Sequence, residues 1–171
     1  MIELLAVMAI FLTIVTALTQ LFVSGAKAEL DANRRFEAQS NARLALDKLR
    51  RELHCASGIT PGADDDGDGN VASISVAIPS QCPSANGANT TVVYDTSLVV
   101  ANRWKLRRTV DGVSVQIADF ITNDDLFRYT APSTASKGLL HVELPINVHP
   151  NEGWQTWRLV DDIVLRNTLR Q

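Results

Sequence analysis

One uncharged stretch near the N-terminus constrains the fold more than any other feature. Residues 4–26 carry no charged side chain and consist mainly of Leu, Ala, Val, Ile, Phe and Thr. As a helix they would extend about 35 Å, enough to cross the ~30 Å hydrocarbon core of a bilayer. A secretory signal peptide is the alternative, but there is no basic n-region, the run is too long and no A-x-A site precedes a folded start. We therefore predict a membrane-spanning helix over residues 1–26.

Glu3 stands at the start of this apolar run. An ionised carboxylate in hydrocarbon costs several kcal/mol unless another group pairs with it. The sequence has no basic residue before Lys27. The amine of residue 1 is two positions away, and residues i and i+2 of a helix do not face each other. The partner of Glu3 must therefore come from another molecule or from an extended N-terminus.

The helix is predicted to continue as an amphipathic segment over residues 27–56. The only glycine before this segment is Gly25, and the first proline is Pro61. Apolar residues recur at spacings of mainly three and four and form one stripe that needs a covering surface. The stripe consists of Phe36, Ala42, Leu46, Leu49, Leu53 and Ala56.

After Gly58 and Pro61 the hydrophobic period changes from 3.6 to 2, which predicts a β-sheet domain over residues 57–171. The Asp-Gly pair at 111–112 predicts a tight hairpin. Pro145 predicts an edge strand or a bulge, and a kink is predicted at Asp161–Asp162. Strands are predicted in SISVAI, TTVVYD, RWKLRRTV, GVSVQI, LLHVELPINV and WQTWRLVDDIVLRN. The predicted fold class is α+β, with a long N-terminal helix packed on an antiparallel sheet.

Two cysteines, Cys55 and Cys82, lie at the end of the predicted helix and early in the sheet domain. In a domain exported across the anchor, a disulfide is the natural interpretation. The alternative is two unrelated buried thiols.

The charge balance does not favour nucleic-acid binding. The formal net charge is −3, and a basic surface is the usual footprint of a nucleic-acid partner. Arg103, Lys105 and Arg107 share one face of a predicted strand and, together with Arg108, could contact phosphates. The ordinary interpretation is a solvated strand face or a contact to an acidic neighbour, so nucleic acid is an unlikely partner.

The segment DDDGDGN contains the strongest metal-binding pattern. Asp64, Asp66, Asp68 and Gly69 satisfy D-x-D-x-D-G, the first half of a calcium loop, in which hard carboxylate oxygens alternate along a sharp turn. Ser75 stands where the bidentate Glu of an EF-hand would be, so an EF-hand is not expected. A Ca²⁺ loop of another type and a solvated acidic turn remain as alternatives.

Residues for catalysis are not found in a recognisable pattern. The sequence contains no G-x-S-x-G, H-E-x-x-H or P-loop motif. The spacing of His54, His141 and His149 matches no compact zinc-ligand pattern. The acidic pairs at 124–125 and 161–162 are adjacent, so on a strand their members point to opposite faces. We predict no catalytic residues and no enzymatic activity.

The N-terminal sequence IELLAVMAIFLTIV resembles that of type IV pilins and pseudopilins, including the prepilin-type N-terminal methylation motif. Residues 1–5 match the third to seventh residues of the mature family sequence. The resemblance implies a basic leader that ends in glycine and is cut by prepilin peptidase, and two further mature residues before Met1. It also implies that Glu3 meets the N-terminal amine of an adjacent subunit and sets the stagger of packed helices.

Two further segments, NARLALDKLRRELHCA and WRLVDDIVLRN, are similar to J-type minor pseudopilins of type II secretion and to PilW-like minor pilins. Major pilins usually have a proline near position 20, where this chain has Gln20, which favours a minor subunit. The resemblance implies a lollipop-shaped, non-enzymatic subunit that initiates or caps a pseudopilus or pilus, inserts into the inner membrane before assembly, and contacts other subunits through its helix. The alternative function is a calcium-dependent adhesin or binding module at a filament tip, with its C-terminal domain periplasmic or extracellular.

Overall fold

The computed structural model divides the chain into two compact units, Met1–Glu37 and Ala38–Gln171. The side chains of Ile2 and Leu5 are outside the description. The described residues are 2–85, 87–100, 102–134, 136–149 and 156–166.

Helix α1 begins at Ile2 and ends at Cys55. Its residues up to Glu37 belong to the first unit. Large apolar side chains are exposed along its N-terminal part. Within the described residues, this helix alone is long and apolar enough to cross a membrane. The prediction of a spanning segment is confirmed to that extent, by length and composition. The exposed apolar residues of this unit include Leu4, Val7, Met8, Ile10, Phe11, Leu12, Ile14, Leu18, Leu21 and Phe22.

In the second unit, α1 from Ala38 onward buries one stripe of residues. Alanines in this stripe carry little bulk, so the helix can lie close to the surface that it covers. Phe36 was predicted in this stripe, but it is 75% exposed, because at 100° per residue it lies on the other side of the helix from Ala38. The buried stripe is Ala38, Ala42, Ala45, Leu46, Leu49, Leu53 and Ala56.

The described part of the second unit contains one eight-stranded antiparallel sheet. Strands β1 to β5 are consecutive neighbours, and β5 then meets β7. Strand β7 pairs with β8 along its whole length on one side, and with β6 and a single bridge to β5 on the other. The strands are β1 (Gly58–Pro61), β2 (Ser73–Ile78), β3 (Thr90–Val100), β4 (Arg103–Val110), β5 (Val113–Ile121), β6 (Phe127–Thr130), β7 (Leu139–Ile146) and β8 (Trp157–Val164).

The predicted α+β fold, with one long N-terminal helix packed on an antiparallel sheet, is confirmed. Asp111 and Gly112 form the predicted tight turn, because Val110 pairs with Val113 and the turn residues have φ of 49° and 78°. Positive φ at both positions is typical of a type I′ hairpin turn. Strands β1 and β6 were not predicted, since each has only four residues and too little alternation to recognise.

Two predicted irregularities in the sheet are wrong. Pro145 lies in β7, which has neighbours on both sides. The Pro145 carbonyl accepts a hydrogen bond from the Thr122 N–H at 3.0 Å, on the side of β7 away from β8. The backbone nitrogen of Pro145 faces the same side, where β7 makes only one bridge to β5 in the described chain. Pairing of β7 with β8 therefore does not need an N–H at Pro145. Asp161 and Asp162 cause no kink, because β8 keeps an unbroken register with β7.

Candidate functional site

Helix α1 presents Glu3 in its first turn as an exposed side chain. No ion pair to Glu3 occurs among the described residues, and the sequence has no basic side chain before Lys27. Glu3 therefore lies at the start of an exposed apolar helix surface, and the described part of the helix has no cation that pairs with it.

Small and polar residues occupy one face of the same helix. Ala9, Thr13, Thr16, Gln20 and Ser24 follow one another at spacings of four, three, four and four. At 100° per residue these positions share a face, and large residues such as Phe11, Leu18 and Phe22 lie opposite. Small and polar residues are typical of the face that packs on another helix in a membrane.

Polar groups on this face differ in whether the helix itself satisfies them. The hydroxyls of Thr13 and Thr16 donate to backbone carbonyls of the preceding turn at 2.8 Å, so they need no partner. The Gln20 amide has no hydrogen-bond partner among the described residues. It is the group on this face that would gain most from a neighbouring helix.

A buried ion pair joins the last turns of α1 to the sheet. Glu52 is 4% exposed, and its Oε1 accepts a hydrogen bond from Arg108 Nη2 on β4 at 2.8 Å. The Tyr94 hydroxyl on β3 donates to Glu52 Oε2 at 2.5 Å. We call these three residues the Glu52 cluster. Sequence reasoning missed it, because the partners of Glu52 are 42 and 56 residues away.

Charge and burial shift two ionisation equilibria in the Glu52 cluster. Burial raises the pKa of Tyr94 strongly, and the hydrogen bond to Glu52 adds to the rise. Burial lowers the pKa of Arg108, but the hydrogen bond and attraction to Glu52 outweigh this effect and raise it. Tyr94 is thus a neutral donor and Arg108 a permanent cation, which is the arrangement that a buried carboxylate requires.

A disulfide joins Cys55 to Cys82, with Cα atoms 6.0 Å apart. It ties the last residue of α1 to the segment before a short 3-10 helix, Pro83–Ala85. The predicted disulfide is therefore present. Both this bond and the Glu52 cluster lie in the last turn of the helix, so covalent and ionic contacts secure the same end.

The acidic loop after β1 brings its three predicted residues together. Side-chain oxygens of Asp64, Asp66 and Asp68 all lie within 4.8 Å of one another. Asp64 accepts N–H bonds from Gly67 and Gly69 at 2.8 and 3.0 Å. These bonds curl the chain around the carboxylates, and the positive φ of both glycines permits the curl.

The field around this loop is negative. Burial raises the pKa of Asp125, and repulsion from Asp124 and from the three loop aspartates adds to the rise. Backbone and side-chain hydrogen bonds from Asn70 instead lower the pKa of Asp68. Exposed carboxylates that converge in this way offer the hard oxygen ligands that Ca²⁺ prefers, although acidic groups commonly cluster at surfaces without a metal.

A polar cavity of about 550 Å³ adjoins the acidic loop. Of its charged side chains, Arg158 pairs with Glu143 at 2.8 Å, and Arg128 donates to the side-chain oxygen of Asn70 at 3.1 Å. Asp125 also lines the cavity. The cavity thus carries both signs of charge.

The basic stripe on β4 is largely neutralised. Arg103 makes two hydrogen bonds to Asp119, at 3.0 and 2.8 Å, and Arg107 forms an ion pair with Asp95. Burial raises the pKa of Asp119, but the hydrogen bonds and attraction of Arg103, together with the Phe120 N–H and Gln116, hold it below its usual value. Arg108, the fourth basic residue of the predicted stripe, pairs with Glu52. Three of the four side chains therefore already have anionic partners, and Lys105 is half-buried.

His141 and the aspartates at 161–162 are engaged in pairs of their own. His141 Nδ1 lies 2.6 Å from Asp162 Oδ1, and Asp161 accepts hydrogen bonds from Arg50 of α1. Adjacent Asp161 and Asp162 thus serve opposite faces of β8. Among the described residues, the aspartate loop is the one group of potential metal ligands that converges.

Comparison with known proteins gives no relative from which a function could be transferred. The chain matches no protein-family model, no curated protein and no solved structure.

Proposed function

We propose that the chain is a non-enzymatic subunit of a filament assembled from the inner membrane, and that it is a minor pseudopilin or minor pilin. One observation carries the proposal. An exposed apolar helix with a single carboxylate, Glu3, in its first turn continues as the helix of a folded α+β unit. A soluble protein would bury such a helix, whereas a membrane or a bundle of like helices accommodates it.

Glu3 would couple membrane insertion to assembly. Its carboxylate is costly in hydrocarbon until a cation pairs with it, and the described helix supplies none. The N-terminal amine of a neighbouring subunit would meet this need only at one stagger of the two helices. The face of Ala9, Thr13, Thr16, Gln20 and Ser24 would then provide close helix contact.

The test compares Glu3→Ala and Glu3→Gln with Glu29→Gln, which removes an exposed carboxylate from the same helix outside the apolar run. We expect both Glu3 variants to enter the membrane, to keep the near-UV circular dichroism of the wild type, and to be lost from sheared filaments. Glu29→Gln should be incorporated normally. Normal incorporation of Glu3→Ala into filaments would refute the proposed role of the Glu3 carboxylate in assembly.

A subunit that initiates or caps a filament is needed once per filament rather than once per repeat. We therefore expect it at a small fraction of the major subunit in purified filaments, as measured by quantitative mass spectrometry. Equal abundance would instead identify a major subunit.

A second candidate function is a calcium-dependent binding module at the filament tip, with the periplasmic or extracellular domain exposed. The convergence of Asp64, Asp66 and Asp68 favours it. Asp66→Ala removes one converging carboxylate, and Asp65→Ala is the matched control because Asp65 is a neighbouring residue outside the cluster. If the loop binds Ca²⁺, millimolar Ca²⁺ should raise the Tm of the wild type and of Asp65→Ala, but not of Asp66→Ala. An unchanged wild-type Tm would count against the metal site.

A further inference from the structure

Strand β8 forms a long edge of the sheet. One side pairs with β7 through all eight residues, and no strand pairs with the other side within the described chain. The strand contains no proline, glycine or register shift. Edges of this length are usually shortened, bulged or blocked, because unpaired backbone groups attract other strands. At the opposite end of the sheet, β1 has only four residues and ends in Pro61.

The phase of hydrogen bonding identifies the groups on this edge. Leu165 N–H donates to the Gly138 carbonyl at 2.9 Å, so odd-numbered residues of β8 direct their backbone groups towards β7. The N–H and C=O groups of the alternate residues therefore point outward. These residues are Arg158, Val160, Asp162 and Val164.

The side chains of the same four residues lie on the solvent side of the sheet. Val160 and Val164 are 50% and 41% exposed. Arg158 and Asp162 pair with Glu143 and His141 of β7 but keep side-chain exposures of 68% and 63%. The edge thus offers a positive, an apolar, a negative and an apolar residue in alternation.

We propose that the β8 edge binds an extended segment of a partner polypeptide as an added antiparallel strand. The segment would place an acidic residue opposite Arg158, apolar residues opposite Val160 and Val164, and a basic residue opposite Asp162. Main-chain bonds would supply the attraction, and the alternating side chains would select the partner and fix its register.

A second copy is the obvious rival occupant, because antiparallel pairing about Val160 would place Arg158 opposite Asp162 of the other copy. The same register would place Val164 opposite Thr156 of the other copy. A different chain that offers an apolar residue at this position therefore matches the edge better than a second copy does.

The experiment uses the full chain in non-ionic detergent. Its probe is a peptide in which valine, lysine, valine and glutamate alternate with threonine, and the control peptide exchanges lysine and glutamate. We expect the control to bind about tenfold more weakly, since both cross-strand charge pairs become repulsive. Binding should slow amide exchange at Val160 and Val164 but leave Leu159 and Ile163, which already bond to β7, unchanged.

Two kinds of variant complete the test. Val160→Pro removes an outward N–H without removing a bond to β7, so it should abolish binding, while Val160→Ala should retain it. The double variant Arg158→Glu with Asp162→Lys should invert the preference between the peptides, which a folding defect would not do.

Three results would overturn the proposal. They are the absence of saturable binding by the matched peptide, wild-type binding by Val160→Pro, and a peptide-free dimer that Val160→Pro dissociates, which would assign the edge to a second copy. Because these measurements use the isolated chain, their failure is distinguishable from failure of the Glu3 mechanism, which is read from filaments.

Discussion

Replacing Glu52 by alanine should remove a large part of the stability of the second unit. The side chain of Arg108 is 15% exposed, and the Tyr94 ring is fully buried. Without Glu52, the Arg108 cation and the Tyr94 hydroxyl lose their shared acceptor. Loss of one partner of a buried ion pair costs about 3–5 kcal/mol. For a domain of this size, that corresponds to a fall in Tm of roughly 10–15 °C.

The assay is thermal unfolding of the full chain in non-ionic detergent, followed by near-UV circular dichroism. Glu37→Ala is the matched control, because Glu37 is an exposed glutamate on the same helix. Its Tm should change by no more than about 2 °C.

A triple variant separates the cost of an unpaired charge from any net benefit of the pair. Glu52→Leu, Arg108→Met and Tyr94→Phe together remove every polar group of the Glu52 cluster. We expect this variant to be more stable than Glu52→Ala, since apolar groups often replace a buried ion pair at little cost. The reasoning fails if Glu52→Ala lowers the Tm by less than about 3 °C, or if the triple variant is as unstable as Glu52→Ala.

Two other predictions concern the loop side of the domain. Replacing both Cys55 and Cys82 by serine should destabilise the oxidised protein by about 3–4 kcal/mol, as loop-closure entropy predicts, and dithiothreitol should lower the Tm of the wild type but not of the variant. Asp125→Asn should raise the Tm at pH 7. A raised pKa means that folding disfavours the ionised form of Asp125, so the gain should disappear below about pH 3, where wild-type Asp125 is protonated too. A gain that persists at low pH would exclude the electrostatic explanation.

The elements that could be predicted from the sequence are those with a local, repeating hydrophobic pattern. The uncharged run predicted α1, and the change of hydrophobic period predicted most strands. SISVAI and RWKLRRTV coincide with β2 and β4. These features depend on residues a few positions apart, so pattern alone identifies them.

The burial of Glu52 could not be predicted in the same way. It stands in a run of charged residues, RREL, where a glutamate is normally solvated. Only the pairing of β3 with β4 places Tyr94 and Arg108 opposite the last turns of α1. The same limit applies to the side-chain partners that neutralise the basic stripe of β4.

Strand β5 shows why alternation does not identify the buried face. Val113 and Val115 alternate as a core face would, yet they are 67% and 54% exposed. Ala118 and Ile121 are the buried residues of the strand. Register shifts between β4 and β5 and the positive φ of Phe120 change the face along the strand. A bulge of this kind leaves little trace in the hydrophobic pattern.

The position of the disulfide also determines how the domain would bear mechanical force. In the proposed role as a filament subunit, load would act along the helix, and the Cys55–Cys82 bond lies at the last residue of that helix. Tension that detaches the helix from the sheet would have to act against a covalent link at the C-terminal end of the helix. The Ala38–Leu53 stripe would therefore shear first, and the covalent link would keep the residues between Cys55 and Cys82 from being extended. In single-molecule extension, the oxidised protein should lengthen less than the reduced one by the contour of the segment between the two cysteines.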